Sequence, residues 1–255
     1  MKKALSTIIA TIAVTLSLTG CFKQDDIAQS AMSIGELTRA DLFVSDEGLT
    51  LHITESSIGE RLPATGRIII IYDIINELVK DKEFNVKATA YYPVTRKNPV
   101  ASNEKDLDSE NKPLGSDPVR LNSGWVSGGY LNVEAWILTK RSSSAVHTIN
   151  LEYKGIENRE GKEIMVFELR HNAYGDAPKV DEKGNVQGLA QFETVASYLS
   201  FAIEDLIPAG SDRFPVEIAH AFYYTNETAD GFIIKKDITT GDIARRGVSA
   251  AMISK

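Results

Sequence analysis

Cysteine is nearly absent from this chain: Cys21 is the only one in 255 residues. An intramolecular disulfide is therefore excluded, although an exported protein lies where disulfides persist. Long apolar runs are also missing after residue 18. The roughly 235 residues that follow are predicted to form one large or two small globular domains, stabilised by a buried core.

Motifs that concentrate catalytic or metal-binding groups are missing as well. The sequence has no His-x-His or His-Glu-x-x-His spacing, no Gly-x-Ser-x-Gly elbow and no glycine loop ending in Gly-Lys-Ser/Thr. His147 and His220 lie in phase with apolar residues, which favours core histidines over metal ligands. Four oxygen-bearing residues lack the EF-hand spacing, so an exposed charged loop is favoured over a calcium site: Asp176, Asp181, Glu182 and Asn185. We expect no metal, no cofactor and no catalytic residue.

Basic charge is scarce. Removal of residues 1–20 would take away Lys2 and Lys3. Of the 28 basic residues 26 would then remain against 35 acidic ones, and the formal charge would change from −7 to −9. Nucleic-acid binding needs clustered Lys and Arg, and the one dense basic spot is Arg245-Arg246. Nucleic acid is therefore not expected as a partner, even if a barrel of the oligonucleotide-binding type is present.

The first 20 residues have the features of an export signal. Lys2 and Lys3 precede an apolar stretch over residues 4–18, which is too short for a membrane-spanning helix of roughly 20 residues. Residues 18–21 follow and resemble the bacterial lipobox, in which the cysteine receives a diacylglycerol. We therefore predict a signal peptide over residues 1–20 and lipidation of Cys21.

Residues 21–35 are polar and without periodicity, so they are predicted to tether the first domain to the membrane. Asp25-Asp26 resembles an acidic surface-export signal, but a solvated tether would carry the same charges. The predicted location is the cell envelope, at the outer membrane, facing either the surface or the periplasm.

Beyond the tether the hydrophobic period is two, and no long amphipathic helix is visible, so the fold class is predicted to be all-β. Residues 195–203 also keep strand phase, although their alanines allow a helix. Short strands separated by turn signals favour a sandwich over βαβ units in the second half. The predicted divisions are a first domain at 36–98, a polar linker at 99–114, a second domain at 115–243 and a tail at 244–255.

Five segments, in this order and spacing, resemble the NigD-like family: residues 115–119, 125–132, 147–151, 168–176 and 197–201. The resemblance implies an N-terminal OB-like small barrel, a C-terminal antiparallel β-sandwich and a lipoprotein of the Bacteroidetes group. It also implies a proposed role in bacteriocin immunity, and no general enzymatic activity. Residues 177–193 are longer than the family pattern, so the surface is expected to differ there.

Two groups of residues are candidate binding positions. Arg170, His171 and Asp176 form a dense polar group that could hold a ligand, although a turn with hydrogen bonds to neighbouring backbone is favoured. The second group, Trp125, Tyr130 and Trp136, could form an aromatic platform or belong to a sandwich core.

The sequence thus predicts a non-enzymatic, lipid-anchored module for binding or assembly in the cell envelope. Its expected partners are the membrane, through the lipid on Cys21, and an unidentified envelope protein, surface ligand or toxin. A bacteriocin-immunity lipoprotein is the first alternative. An envelope hydrolase that uses His171 or Asp176 is the second.

Overall fold

The computed structural model describes residues 30–78, 82–182, 184–225, 232–244 and 250–254. The predicted signal peptide, Cys21, Asp25-Asp26 and Arg245-Arg246 lie outside them. Within these ranges the chain forms strands and two short 3-10 turns, Leu189–Gln191 and Glu204–Leu206, which confirms the all-β prediction. None of the described segments is a helix with the length and hydropathy needed to cross a membrane. The strands are β1 (Ser30–Arg39), β2 (Leu42–Ser45), β3 (Thr50–Ser56), β4 (Gly66–Glu77), β5 (Glu83–Lys97), β6 (Val100–Ala101), β7 (Arg120–Ser127), β8 (Tyr130–Lys140), β9 (Thr148–Arg159), β10 (Lys162–Asn172), β11 (Phe192–Ala202), β12 (Arg213–Thr225), β13 (Phe232–Ala244) and β14 (Ala250–Ser254).

Strands β1 to β5 close into a small barrel. β1 pairs with β2 and β4, β2 with β3, and β5 with both β4 and β3, so the order around the barrel is β1-β2-β3-β5-β4. The β3–β5 pair is parallel and closes the ring. Its interior is filled by large apolar side chains, among them Leu37, Phe43, Leu51 and Ile70. This closed five-stranded barrel agrees with the OB-like prediction.

Strand β4 is apolar on both faces because one face lines the barrel core and the other packs against the second domain. Ile68 and Ile70 point into the barrel core, whereas Ile69 packs with Ile34 and Val94 on the outside. Trp125 of the second domain packs against this outer group. A strand buried on both sides needs no polar alternation, and this explains the β-branched run in the sequence.

The second domain is a sandwich of two sheets. Its first sheet contains β7, β8 and β11; the second contains β9, β10, β12 and β13; and β14 pairs with both β7 and β13. The core lies between the two sheets and includes Leu131, Val133, Phe167, Phe201 and Ile218. Most pairs are antiparallel, but β10 and β12 are parallel because the chain crosses to the first sheet as β11 between them.

The segment predicted as a linker, residues 99–114, does not separate the domains. β6 pairs with β9, Ser102 donates a hydrogen bond to Glu152, and Leu114 is fully buried. The connection lies earlier in the chain, because β5 leaves the barrel and its last residues, Val94 to Lys97, pair with β11. Polar composition was misleading here because the segment stays mostly exposed while its polar groups are hydrogen-bonded in local turns and to β9.

Two further segments differ from expectation. β1 begins at Ser30, so it includes the last six residues of the predicted tether. Residues 177–193 form more than an exposed loop: Val180 bridges to Val186, and Asn185 bridges to Ile233 of β13. Val186 packs with Phe222 and other aromatic residues in a second small core at one end of the sandwich.

Candidate functional site

The largest buried polar group lies where the barrel meets the sandwich. Arg67 of β4 donates two hydrogen bonds to the carboxylate of Asp46, at 2.9 and 2.6 Å, and one from Nε to Ser200 at 2.7 Å. Ser127 donates to the same carboxylate at 2.6 Å, and Asn132 donates to Ser127 at 2.9 Å. Ser200 in turn donates to Asn132 at 2.6 Å. These five residues, here named the domain clamp, join residues of both domains in one closed network.

Two of the predicted aromatic residues belong to this junction. The Arg67 guanidinium lies over the Tyr130 ring, 4.3 Å from its centroid, and Trp125 packs against the apolar group on the outer face of β4. Arg96 donates to the Tyr130 hydroxyl at 3.5 Å. Trp125 and Tyr130 therefore contact the other domain of the same chain.

Arg170 fixes the segment that precedes β7. Its Nε donates to the carbonyl of Gly115 at 2.7 Å, and its two terminal nitrogens bond to Glu152 and Asp106. Burial alone would raise the pKa of Glu152, but the hydrogen bonds from Lys154, Ser102 and Arg170 hold this pKa below its ordinary value. The bonds from Arg170 to Gly115 and Asp106 hold the loop against the second sheet, and Glu152 anchors the guanidinium from β9.

A chain of hydrogen bonds connects His171, His147 and Asp176. His171 Nδ1 lies 3.0 Å from the carbonyl oxygen of Pro118, His171 Nε2 lies 3.0 Å from His147 Nδ1, and His147 Nε2 lies 3.0 Å from Asp176 Oδ2. All three side chains are largely buried. Burial lowers the pKa of His171 to about 4, so its imidazole is neutral at neutral pH.

The Pro118 carbonyl determines which nitrogen of His171 donates in this series of hydrogen bonds. A carbonyl accepts, so His171 Nδ1 must carry the hydrogen and its Nε2 must accept from His147. His147 then donates to His171 through Nδ1, and the Asp176 carboxylate requires a second donor at Nε2. Both ring nitrogens of His147 therefore face hydrogen-bond acceptors, the neutral His171 on one side and the Asp176 carboxylate on the other.

Trp136 is partly buried and, together with Tyr224, packs against the small core that contains Val186 and Phe222, so only part of each ring is exposed. Its indole N–H donates to Glu134 at 2.9 Å, and the Arg120 guanidinium lies 5.6 Å from the centroid of its ring. Arg120 also lies 6.0 Å from the ring of Tyr224, whose hydroxyl donates to Asp237. Among the described residues no carboxylate lies at ion-pair distance from Arg120. We name Arg120, Trp136 and Tyr224 the aromatic surface.

The six predicted binding residues are thus divided among four places. Trp125 and Tyr130 lie at the domain junction, Arg170 lies beneath the loop before β7, His171 and Asp176 share the histidine chain, and Trp136 is partly exposed. The aromatic platform is not formed as a set of three. Arg120 was missed, although it lies directly opposite Trp136 in the β7–β8 register, because that register depends on a bulge which the sequence does not reveal.

The oxygen-bearing residues considered as calcium ligands, in the loop after β10, do not come together at one point. Asp176 bonds to His147, whereas Asp181 accepts from Asn185 and Gln187 within the loop. In the part of the chain that the structure describes, no group of three or more His, Cys, Asp or Glu side chains is arranged to hold a metal ion.

Comparison with known proteins gives one family match and several structural neighbours. Residues 101–194 match the model of the NigD-like C-terminal beta sandwich domain. A NigD-like immunity protein from Bacteroides caccae has a TM-score of 0.54 at 15% identity, with 84% of this chain and 94% of that chain covered. A protein of unknown function from Bacteroides vulgatus has a TM-score of 0.51 at 20% identity, with coverage of 81% and 90%.

A candidate lipoprotein from Bacteroides fragilis is similar as well, with a TM-score of 0.52 at 12% identity and coverage of 86% and 99%. No curated protein matches the chain. At these identities the neighbours establish a shared fold. The matches cover nearly the whole length of each neighbour, so the barrel and the sandwich occur together in those proteins.

Proposed function

The chain belongs to the NigD-like family through its C-terminal β-sandwich domain, and on that premise we propose that it is a lipid-anchored, non-enzymatic binding module of the cell envelope. The family match and the shared fold confirm the resemblance noted in the sequence. The lipobox at residues 18–21 supports the anchor. The candidate lipoprotein among the structural neighbours agrees with an envelope location.

One observation carries the binding role: the aromatic surface combines a cation and two aromatic rings that remain partly exposed. Elsewhere the prominent polar groups are engaged inside the protein, in the domain clamp, the Arg170 contacts and the histidine chain. Arg120 has two aromatic contacts and no carboxylate partner within the described ranges. Aromatic and arginine side chains in such a setting supply much of the affinity in protein interfaces.

A photocrosslinking residue placed at Lys235 tests this assignment in intact native cells. Lys235 is exposed and its amine lies 5.9 Å from the centroid of the Tyr224 ring, so the probe is adjacent to the aromatic surface. We expect a discrete adduct that disappears when Arg120→Ala is combined with the probe. The same probe at Ile156, an exposed residue of the β9–β10 hairpin, is the matched control. An adduct that persists in Arg120→Ala, or forms equally at Ile156, contradicts the assignment.

Envelope location is tested by protease treatment of intact and lysed native cells, with Cys21→Ala as the unanchored control. Loss in intact cells indicates an outward-facing protein, and Asp25-Asp26 then becomes the export signal to mutate. Loss in lysed cells alone indicates a periplasmic protein. Recovery of the unmodified protein in the soluble fraction, equal to that of Cys21→Ala, contradicts the lipid anchor.

Bacteriocin immunity is the second candidate, and the similarity to the NigD-like immunity protein from Bacteroides caccae favours it. It predicts that deletion sensitises cells to one toxin made by a related strain, and that Arg120→Ala fails to restore resistance. Equal survival of the deletion and parent strains against such toxins contradicts it.

A hydrolase has less support. The bonds from Asp176 through His147 and His171 end on the backbone carbonyl of Pro118, where a nucleophile would be needed.

A further inference from the structure

Three exposed apolar side chains lie near the start of β1 and the end of β4, which pair at one end of the barrel. Met32 is 67% exposed, Ile74 48% and Ile75 46%, whereas Ile68 and Ile70, earlier in the same strand, are buried in the core. The register between β4 and β5 shifts between Ile74 and Asn76. A bulge of this kind re-aims side chains, and here it leaves two consecutive isoleucines facing solvent.

This end of the barrel is also where the chain enters from the N-terminus. Ser30 pairs with Asp73, and Met32 pairs with Ile71, so the start of β1 lies beside the strand segment that carries Ile74 and Ile75. Eight residues separate Cys21 from Ser30. Even fully extended, a segment of that length spans at most about 30 Å, so a lipid on Cys21 holds this end of the barrel close to the bilayer.

We propose that Met32, Ile74 and Ile75 form a membrane-contact patch that rests on the lipid surface beside the anchor. This inference rests on the proposed lipidation of Cys21. Apolar side chains at a lipid interface add a second attachment to that of a lipid chain.

The surrounding charges favour an uncharged lipid surface. Asp73 and Glu77 flank the patch, and Asp73 is engaged by the Ser30 hydroxyl at 2.7 Å, with Lys87 opposite in the strand register. Acidic side chains at the edge of the patch are repelled by anionic headgroups but not by zwitterionic ones. Phosphatidylcholine vesicles are therefore the appropriate probe.

The test uses the full-length lipidated protein reconstituted in phosphatidylcholine vesicles. The Cys21 thiol is consumed by lipidation, so a cysteine introduced by Met32→Cys is the one free thiol and accepts an environment-sensitive fluorophore. The matched control is Ile156→Cys, at an exposed apolar position on the sandwich. We expect brominated lipid to quench the Met32 label several times more strongly than the Ile156 label.

A second variant separates contact from mere proximity. Ile74→Ser with Ile75→Ser removes two of the three apolar side chains, at exposed positions where folding should not depend on them. We expect flotation with vesicles to be unchanged and quenching of the Met32 label to fall severalfold.

Equal quenching at Met32 and Ile156 in protein that floats overturns the patch but leaves the anchor intact. Failure to float overturns the anchor and the patch with it. Quenching that is unaffected by the double serine variant shows that the tether alone holds the barrel near the bilayer, and this too overturns the patch.

Discussion

At the scale of single residues, His171 makes stability depend on pH. Its pKa is about 4 in the folded chain against 6.5 for an ordinary histidine. Between these values the unfolded chain binds more protons, so the free energy of unfolding decreases as the pH falls from 6.5 to 4, by on the order of 3 kcal/mol. Urea unfolding at pH 7, 6 and 5 should show this loss.

His171→Asn is the matched variant for this prediction. Its amide N–H can still donate to the Pro118 carbonyl, but the shorter side chain places no acceptor where Nε2 of His171 faces His147, so we expect a loss of roughly 1–3 kcal/mol at pH 7. Between pH 6.5 and 4 the variant should lose less stability than the wild type. Parallel pH profiles for the two proteins would mean that His171 does not titrate as its burial implies.

The sequence indicated His171 as a residue of interest but not its environment. Alternation along β10 places His171 in phase with Phe167 and Leu169, and this phase is visible in the sequence. Its partners come from the segment before β7 and the loop before β9, which are separated in the sequence by tens of residues. No local pattern predicts that His147 and Pro118 meet on either side of the same ring.

At the scale of elements, Gly35 permits β1 to pass close to β2. A Cβ at this position would lie 2.1 Å from the Val44 carbonyl oxygen and 2.6 Å from the Ser45 Cα, both backbone atoms that cannot yield independently. We expect Gly35→Ala to reduce the free energy of unfolding by about 2–3 kcal/mol, in the range of overpacked core substitutions. Chemical denaturation measures the loss.

Gly59→Ala is the control, because a Cβ at Gly59 meets no atom within 4 Å. It should change the midpoint of unfolding little. A Gly35→Ala protein as stable as Gly59→Ala would show that β2 can move away from β1 without cost.

The elements themselves were largely predictable, since apolar alternation marks most strands of both domains. The linker was not, because residues 99–114 look solvated in sequence. Asn103 and Asp108 satisfy the backbone amides of their own turns, and Leu114 alone supplies the buried contact. Polar composition predicts a loop, and it does not predict whether that loop lies against a sheet.

At the scale of the whole molecule, the domain clamp should make barrel and sandwich unfold together. Arg67→Met leaves the buried Asp46 carboxylate without its cation, which typically costs about 3–5 kcal/mol. Trp125 fluorescence, in a Trp136→Phe background, reports the junction, and far-ultraviolet circular dichroism reports the strands. We expect one shared transition for the wild type and two separate transitions for Arg67→Met.

The double variant Arg67→Met with Asp46→Leu is the control, because it removes the charge together with its partner. It should recover much of the lost stability. If Arg67→Met retains a single transition at the wild-type midpoint, the clamp does not couple the domains.

Strand β5 connects the barrel to the sandwich and also sets the distance between them. It runs without a break from Glu83, near the membrane-contact patch, to Lys97, which is paired with Phe201 of the sandwich. Its fifteen residues have a contour length of about 45–50 Å. A flexible hinge would let the sandwich settle at any height above the lipid. A continuous strand fixes that height, so lengthening the tether would change how freely the protein swivels but not how far the sandwich stands from the barrel end.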